Sequence, residues 1–277
     1  MANKSGNEFG VFKKKELVTA KTIKYLHLFF YLDEDHHGRA MIREAAMTRL
    51  RNVKKNKWYD GDKHKAFGVP IQSVDEIIEQ VGAILKKHGG KQKVFIKEVG
   101  FFSHAGGDGP ICYNKKVVIH PEPVYKSQML PEGWAMIDFN WATDSRFVFY
   151  GCNTANNSGG GWKNFAENLS GLSNFLNVAV WGQSTSSFPS FYPDFRVTTG
   201  ARSMTDWRWN AISINTYQVA CGPDKGYQAL NFNNTSDLNL TPEQLTKKGY
   251  PKVNVLNRYQ SGSLVQSSHQ GIFNNHR

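Results

Sequence analysis

Apolar residues in the first two thirds of the chain alternate between continuous runs and a helical spacing. The run 23–32 is rich in aromatic residues and predicts a buried strand. Further along the chain, four apolar residues recur at helical spacing and predict an amphipathic helix: Ile42, Ala46, Leu50 and Val53. Arginines fall between them and are expected on the outer face of that helix: Arg39, Arg43, Arg49 and Arg51.

A second helix is predicted after residue 73. Ser73 and Glu76 have the spacing of a capping box, in which each side chain satisfies a backbone N–H at the start of a helix. The apolar stripe that follows consists of Val74, Ile77, Ile78, Val81 and Leu85. Lysines near the end suit the helix dipole, and the glycine pair at 89–90 is a stop signal.

Further along, strand and helix signals continue to alternate. Apolar runs predict strands at 94–96, 99–102, 116–120, 146–150 and 177–181. A third amphipathic helix is predicted from Trp162, Phe165, Ala166, Leu169 and Leu172. This order predicts an α/β fold, with a mostly parallel sheet and helices on both faces. We expect residues 1–182 to form the α/β core. Residues 183–277, rich in Ser, Asn and Gly, are expected to form an irregular extension of the same domain.

Composition and charge limit the classes of protein that fit. With 40% hydrophobic residues, the 277-residue chain is unlike disordered, collagen-like or coiled-coil proteins. Its 34 Lys+Arg against 23 Asp+Glu give a net charge of +11, of which residues 1–100 hold +8. A basic module that binds nucleic acid or another polyanion is therefore one alternative. The distribution of the basic residues argues against this alternative, because they are spread over helix faces and not concentrated.

Cysteine and histidine usage gives no sign of a disulfide scaffold, a structural metal or a cofactor. The three cysteines, Cys112, Cys152 and Cys221, are scattered and form no CxxC pair. His36 and His37, beside two aspartates, fit a solvated strand end better than a metal site. The start lacks a signal-peptide core, and no apolar run could cross a bilayer. We expect a protein made in the cytoplasm, with signal-independent secretion left open.

Two loops place reactive side chains after apolar strands. The segment VGFFSHAGGDGP carries His104, and RFVFYGCNTA carries Cys152. If their strands are parallel neighbours, both loops emerge at the same edge of the sheet, where a thiol could pass its proton to an imidazole and attack a carbonyl. The backbone N–H groups of Ala105, Gly106 and Cys152 could then stabilise an oxyanion.

These loops resemble those of the caspase-like (clan CD) cysteine peptidases, and most closely bacterial CHAT-type domains. The resemblance covers residues 94–182, including the piece FVFYGCNTA, the helix with FAENL and the strand VAVWG. It implies a caspase-like sheet, His104 as the catalytic histidine, Cys152 as the nucleophile and no required third residue. A glycine is commonest directly after the histidine in that family, whereas this chain has Ala105.

Several assignments stay open at the level of sequence. Cys152 could be an inert buried residue, and Cys221 is the competing nucleophile, whereas Cys112 fits a structural or incidental role. Asp108 either orients His104 or bonds within its own turn. The aromatic-rich segment 183–217 is a candidate substrate pocket or a lobe core, and its candidate charged selectors are Asp194, Arg196 and Asp206.

The leading functional hypothesis is a cysteine hydrolase, specifically a peptidase, that acts on a protein or peptide substrate through a Cys-His dyad and an acyl-enzyme. Two alternatives accompany it. One is the polyanion-binding module without catalysis, and the other is a related amidase or acyl transferase acting as a bacterial toxin or effector. The sequence does not indicate an oligomeric state.

Overall fold

Among the described residues, seven strands form one sheet, in the order β13-β12-β7-β6-β3-β1-β2. The computed structural model describes residues 24–34, 39–113, 128–157, 163–184, 187–189, 198–200, 219–220, 228–229, 247 and 256–268. The strands are β1 Tyr25–Leu32, β2 His64–Ile71, β3 Phe95–Phe102, β4 His104–Gly106, β5 Gly109–Ile111, β6 Trp141–Phe149, β7 Ala179–Gln183, β8 Ser187–Pro189, β9 Thr198–Gly200, β10 Val219–Ala220, β11 Gln228–Ala229, β12 Leu256–Gln260 and β13 Ser263–Ser268. The helices are α1 Arg39–Lys55, α2 Glu76–Lys87, α3 Pro131–Ala135 and α4 Phe165–Ser170, with a 3-10 turn at Ser173–Phe175.

The centre of the sheet is parallel. Strand β1 pairs in parallel with β2 and β3, β3 pairs with β6, and β6 pairs with β7. The hairpin β12–β13 extends the sheet antiparallel to β7. Helices connect the parallel strands, as crossover connections require. The predicted α/β fold with a mostly parallel sheet is therefore confirmed.

Helices cover both faces of the sheet because the central strands are apolar on both sides. Leu28 and Phe30 of β1 belong to a core cluster that includes the buried stripe of α2 and residues of α4. The alternate residue Phe29 belongs to a second cluster, with Ala45 and Ala46 of α1. Side chains alternate across a strand, so β1 supplies both cores.

Several elements differ from the expectation. Strand β2 was not predicted, and the two apolar pieces at 94–102 form the single strand β3. Helix α2 begins at Glu76, and the Ser73 hydroxyl donates to Asp75 instead of capping the helix, while Glu76 accepts from Gln72 N. The predicted strand at 116–120 lies outside the described residues. In the described part of the chain, no helix has the length and apolarity needed to cross a bilayer.

Arg49 was expected on the outer face of α1, and this was wrong. It is buried, and its guanidinium donates two hydrogen bonds to Glu98 of β3, at 2.7 and 2.8 Å. Arg146 of β6 donates to the same carboxylate at 2.9 and 3.1 Å. Burial opposes ionisation of Glu98, but Arg146 and Arg49 together hold its pKa well below the usual range. A buried arginine needs such a partner, and the helical period alone could not reveal it.

His27 of β1 lies beside this network. Its Nδ1 is 4.0 Å from Glu98 Oε2, and its Nε2 lies 3.0 Å from His64 Nδ1. Burial lowers the pKa of His27 to about 3, despite the nearby carboxylate. His27 is therefore a neutral, structural histidine at neutral pH.

Candidate functional site

The candidate site lies at the carboxyl ends of β3 and β6, which are adjacent and parallel. Their last paired residues are Phe101 and Phe149, and Tyr150 N donates to Phe101 O at 2.9 Å. Beyond this pair, the rings of Phe102 and Tyr150 stack at 4.2 Å. His104 lies three residues after Phe101, and Cys152 lies three residues after Phe149. The two segments that carry them therefore leave the sheet at the same edge.

The segments that follow β3 and β6 stay in contact as they leave the sheet. A Cβ placed on Gly151 would lie 2.5 Å from Ala105 Cβ and 3.0 Å from Ser103 O. Only a residue without a side chain fits here, because real Cβ atoms do not approach other atoms so closely. The residue before Cys152 therefore packs directly against the residues on either side of His104.

His104 stands on a short hairpin that is held at its tip. It pairs with Ile111 across β4 and β5, and Ala105 and Gly106 follow it, all three partly exposed. Gly109 has a φ of 110°, and a Cβ there would lie 2.7 Å from the Phe165 ring of α4. The hairpin therefore needs glycine for both its turn and its close approach to α4. Asp108 lies exposed in that turn.

The turn that carries Cys152 is held by β7. Thr154 Oγ1 accepts from Gln183 N at 3.0 Å, and Ala155 N donates to Gln183 O at 2.9 Å. Asn153 has a positive φ of 58°, a conformation that asparagine tolerates better than most residues. Cys152 is partly exposed at the start of this fixed turn, so a reagent or substrate can approach it.

Tyr113 interacts with both candidate residues. Its ring is 5.2 Å from the His104 imidazole and nearly perpendicular to it, at 87°. Burial raises the pKa of Tyr113, and the neighbouring Cys152 and Glu34 raise it further. The same tyrosine thus contacts the imidazole and lies within electrostatic range of the thiol.

Glu34, just after β1, fixes the backbone of Tyr113. Its Oε2 accepts from Tyr113 N at 2.7 Å, and only 3% of the residue is exposed. Its Oε1 has no hydrogen-bond partner among the described residues. A small pocket of about 10 Å³ lies here, lined by Leu32, Glu34, Arg39, Ile42, His104, Ile111 and Tyr113. A carboxylate with an unused oxygen therefore borders the space beside His104.

Sequence reasoning missed Glu34 and Tyr113. One usable signal existed for Glu34, because it follows an apolar strand just as His104 and Cys152 do. Tyr113 had no such signal, because it is held through its backbone N–H, which every residue other than proline possesses.

The other two cysteines and the candidate selectors are either buried or outside the described part of the chain. Cys112 is buried, its Sγ accepts from Val74 N at 3.1 Å, and burial raises its pKa to about 12, as suits the structural role expected for it. Cys221 and the candidate selectors Asp194, Arg196 and Asp206 lie outside the described residues. No group of three or more metal-ligating side chains occurs in the described part of the chain.

Comparison with known proteins gives a weak likeness. No protein-family model and no curated protein matches the chain. One similar solved structure is a secreted C11 cysteine protease from Bacteroides thetaiotaomicron, in complex with an irreversible peptide inhibitor. The TM-score is 0.38 and the identity 10%, over 59% of this chain and 49% of the protease. The chain thus spans about half the length of that protein, and at this TM-score the likeness assigns neither a family nor an activity.

Proposed function

We propose that this protein is a cysteine peptidase that cleaves an amide bond with Cys152 as the nucleophile and His104 as the base. The observation that supports this is the shared edge of β3 and β6, where Gly151 packs against the backbone beside His104. A partly exposed thiol and an imidazole on two fixed turns have the composition that nucleophilic catalysis needs.

The reaction follows from these two groups. His104 takes the proton of the Cys152 thiol, and the thiolate attacks the carbonyl carbon of the substrate. Backbone N–H groups of Ala105, Gly106 and Cys152 are the candidate donors to the resulting oxyanion. The C–N bond then breaks, and the leaving amine takes the proton from the imidazolium. Water, deprotonated by His104, attacks the thioester, releases the carboxylic acid and returns the thiol.

The central test is selective alkylation followed by mass spectrometry of each cysteine. In the native protein, iodoacetamide at pH 7 should modify Cys152 faster than the other cysteines, and His104→Ala should slow that modification by about tenfold or more. His88→Ala, which removes a partly buried histidine far from this edge, is the matched control. Equal labelling of all three cysteines in native protein, or equal slowing by both variants, would refute the dyad.

Glu34 defines the substrate preference that we add to this proposal. The buried carboxylate oxygen borders a pocket with apolar walls, and Arg39, the cation that also lines it, is paired with Asp33. This environment suits the cationic end of a substrate side chain, for which the walls must open beyond the present volume of about 10 Å³. Cleavage of a peptide library, read by mass spectrometry of new termini, should favour Lys or Arg near the cut.

Two substitutions separate the roles of Glu34. Glu34→Gln keeps an oxygen that can accept from Tyr113 N but removes the charge, so it should reduce the preference and leave Cys152 alkylation unchanged. Glu34→Ala removes both, and it should also alter the pH profile of alkylation because Tyr113 loses its anchor. An unchanged cleavage preference in Glu34→Gln would show that this carboxylate is not the selector.

A further inference from the structure

Lysines from separate parts of the sequence meet at the end of the sheet opposite the candidate site. In a parallel α/β fold, strands begin at the end where the connecting helices finish. The last turns of α1 and α2 carry Lys54, Lys55, Lys86 and Lys87 at that end. The starts of β1, β2 and β3 lie there too. The topology therefore brings lysines that are far apart in the sequence to the same end of the sheet.

We define this surface, the lysine pole, as Lys24 with residues 54–65, 86–97 and 137–144, all of them described. These residues include eleven lysines and four aspartates, a net charge of +7 out of +11 for the whole chain. The lysines are Lys24, Lys54, Lys55, Lys57, Lys63, Lys65, Lys86, Lys87, Lys91, Lys93 and Lys97. Most of the net positive charge of the protein thus belongs to these few segments.

Backbone contacts show that the segments of the lysine pole adjoin one another. Lys24 N donates to Lys63 O at 2.9 Å, and Phe95 N donates to Lys24 O at 2.8 Å. Burial lowers the pKa of His88, and nearby Lys87 and Lys65 lower it further, so the end of α2 lies close to β2. The segments around Lys24, Lys63, Lys65 and Lys87 therefore lie side by side at this end of the sheet.

Local structural roles account for only part of these lysines. The helix dipole favours cations in the last turn of a helix, but it does not explain lysines at strand starts and in loops. Lys63 pairs with Asp60 at 3.3 Å, Lys91 pairs with Asp138, and Lys97 Nζ donates to Thr143 O. Lys65 and Lys93 are exposed and have no acidic partner within the described residues. Mutual repulsion among such groups favours an anionic partner.

An exposed aromatic ring lies among these charges. Trp58 is 43% exposed, and its ring lies 5.3 Å from that of His27 and 5.5 Å from that of His64. The two histidines support it from the protein side. A lysine-rich surface with an exposed indole offers contacts to phosphates and a platform on which a base can stack.

We propose that the lysine pole binds single-stranded nucleic acid, through its lysines to the phosphates and through Trp58 to a base. Nucleic-acid binding goes beyond peptide cleavage and is independent of it, because the lysine pole and the candidate catalytic site lie at opposite ends of the sheet. A failed peptidase assay therefore leaves this proposal standing, and a failed binding assay leaves the peptidase proposal standing.

The test is fluorescence anisotropy of a labelled 20-nucleotide single-stranded RNA, and of the matching DNA, titrated with full-length protein from 50 to 300 mM NaCl. Lys65→Glu/Lys93→Glu should weaken binding by about tenfold or more at 50 mM. It should also reduce the slope of log K against log salt by about 1.4, which is about 0.7 for each phosphate that is no longer neutralised. Trp58→Ala should weaken binding by about tenfold with little change in that slope.

The matched control is Arg43→Glu/Lys163→Glu, which changes the net charge equally at exposed positions outside the lysine pole. It should stay within about threefold of wild type. Lys24→Glu/Lys57→Glu is a second pole variant, for use if the first unfolds. The proposal is overturned by absence of binding at 50 mM NaCl, by equal loss in pole and control variants, or by tighter binding to phosphatidylserine vesicles than to either oligonucleotide.

Discussion

Gly151 offers the sharpest test of how the two halves of the candidate site are held together. In Gly151→Ala, the new Cβ would lie 2.5 Å from Ala105 Cβ, whereas carbon atoms in contact are about 3.5–4.0 Å apart. Either the His104 hairpin or the Cys152 turn must therefore move by about 1 Å. Overpacking of this kind costs about 1–3 kcal/mol of unfolding free energy.

The displacement falls between the two candidate catalytic groups. The substitution should therefore slow hydrolysis strongly while lowering the unfolding free energy only moderately. A misplacement of about 1 Å can reduce the rate of an enzyme about 100-fold. We expect Gly151→Ala to slow peptide hydrolysis by that order and to slow the alkylation of Cys152, while the protein still unfolds cooperatively in urea. Gly61→Ala is the matched control, because nothing lies within 4 Å of its added Cβ.

Ala105→Gly is expected to relieve the contact that Gly151→Ala creates. Ala105→Gly removes the atom at 2.5 Å and leaves only the 3.0 Å contact with Ser103 O and the 3.5 Å contact with Ala105 N. Gly151→Ala/Ala105→Gly should therefore recover much of the lost stability and alkylation rate, giving a favourable coupling in a double-mutant cycle. Strict additivity of the two changes, or a fully active Gly151→Ala, would show that these turns are not packed as described.

Three further predictions concern the buried polar groups. Glu98→Gln should lower the unfolding free energy by about 3–5 kcal/mol in urea titration, because it leaves buried guanidinium charge uncompensated, and a loss below about 1 kcal/mol would contradict this. The folded-state pKa of His27, about 3, lies below its ordinary 6.5, so the unfolded state binds the extra proton and stability should fall as pH drops below 6.5. That loss should reach about 2 kcal/mol by pH 5 and be absent from His27→Gln. With its pKa raised to about 12, Cys112 should resist iodoacetamide at pH 8 in folded protein while Cys152 reacts, and the reverse order would contradict the burial described.

The sequence predicted the central strands well because they are buried on both faces. Phe147, Val148 and Phe149 form a continuous apolar run, which is the pattern of an internal parallel strand. Strand β2 lies at one edge of the sheet and carries Gly68 and Pro70, two residues that weaken any strand signal. Strand β13, at the other edge, is mostly exposed, so no apolar pattern marks it.

The candidate site was partly visible in the sequence for a related reason. His104 and Cys152 stand directly after recognisable strands, and the topology rule then places them at one edge. The contact between Glu34 and Tyr113 joins residues 79 positions apart through a backbone N–H. A long-range contact through a backbone N–H does not depend on the type of the donor residue. The Glu34–Tyr113 hydrogen bond could therefore be identified only from the folded structure.

The buried ion network has a role in this same edge, through the register of β3 and β6. Ile96 pairs with Trp141, an offset of 45, whereas Glu98 pairs with Arg146, an offset of 48, so an irregularity precedes the ion pair. The offset of 48 then continues to Phe101 and Phe149, and it also relates His104 to Cys152. A slip by one residue would turn every side chain of a strand to the opposite face, and it would separate Glu98 from its arginines at the cost of a buried charge. The ionic contacts beneath α1 thus specify the alignment that brings the imidazole and the thiol to neighbouring turns.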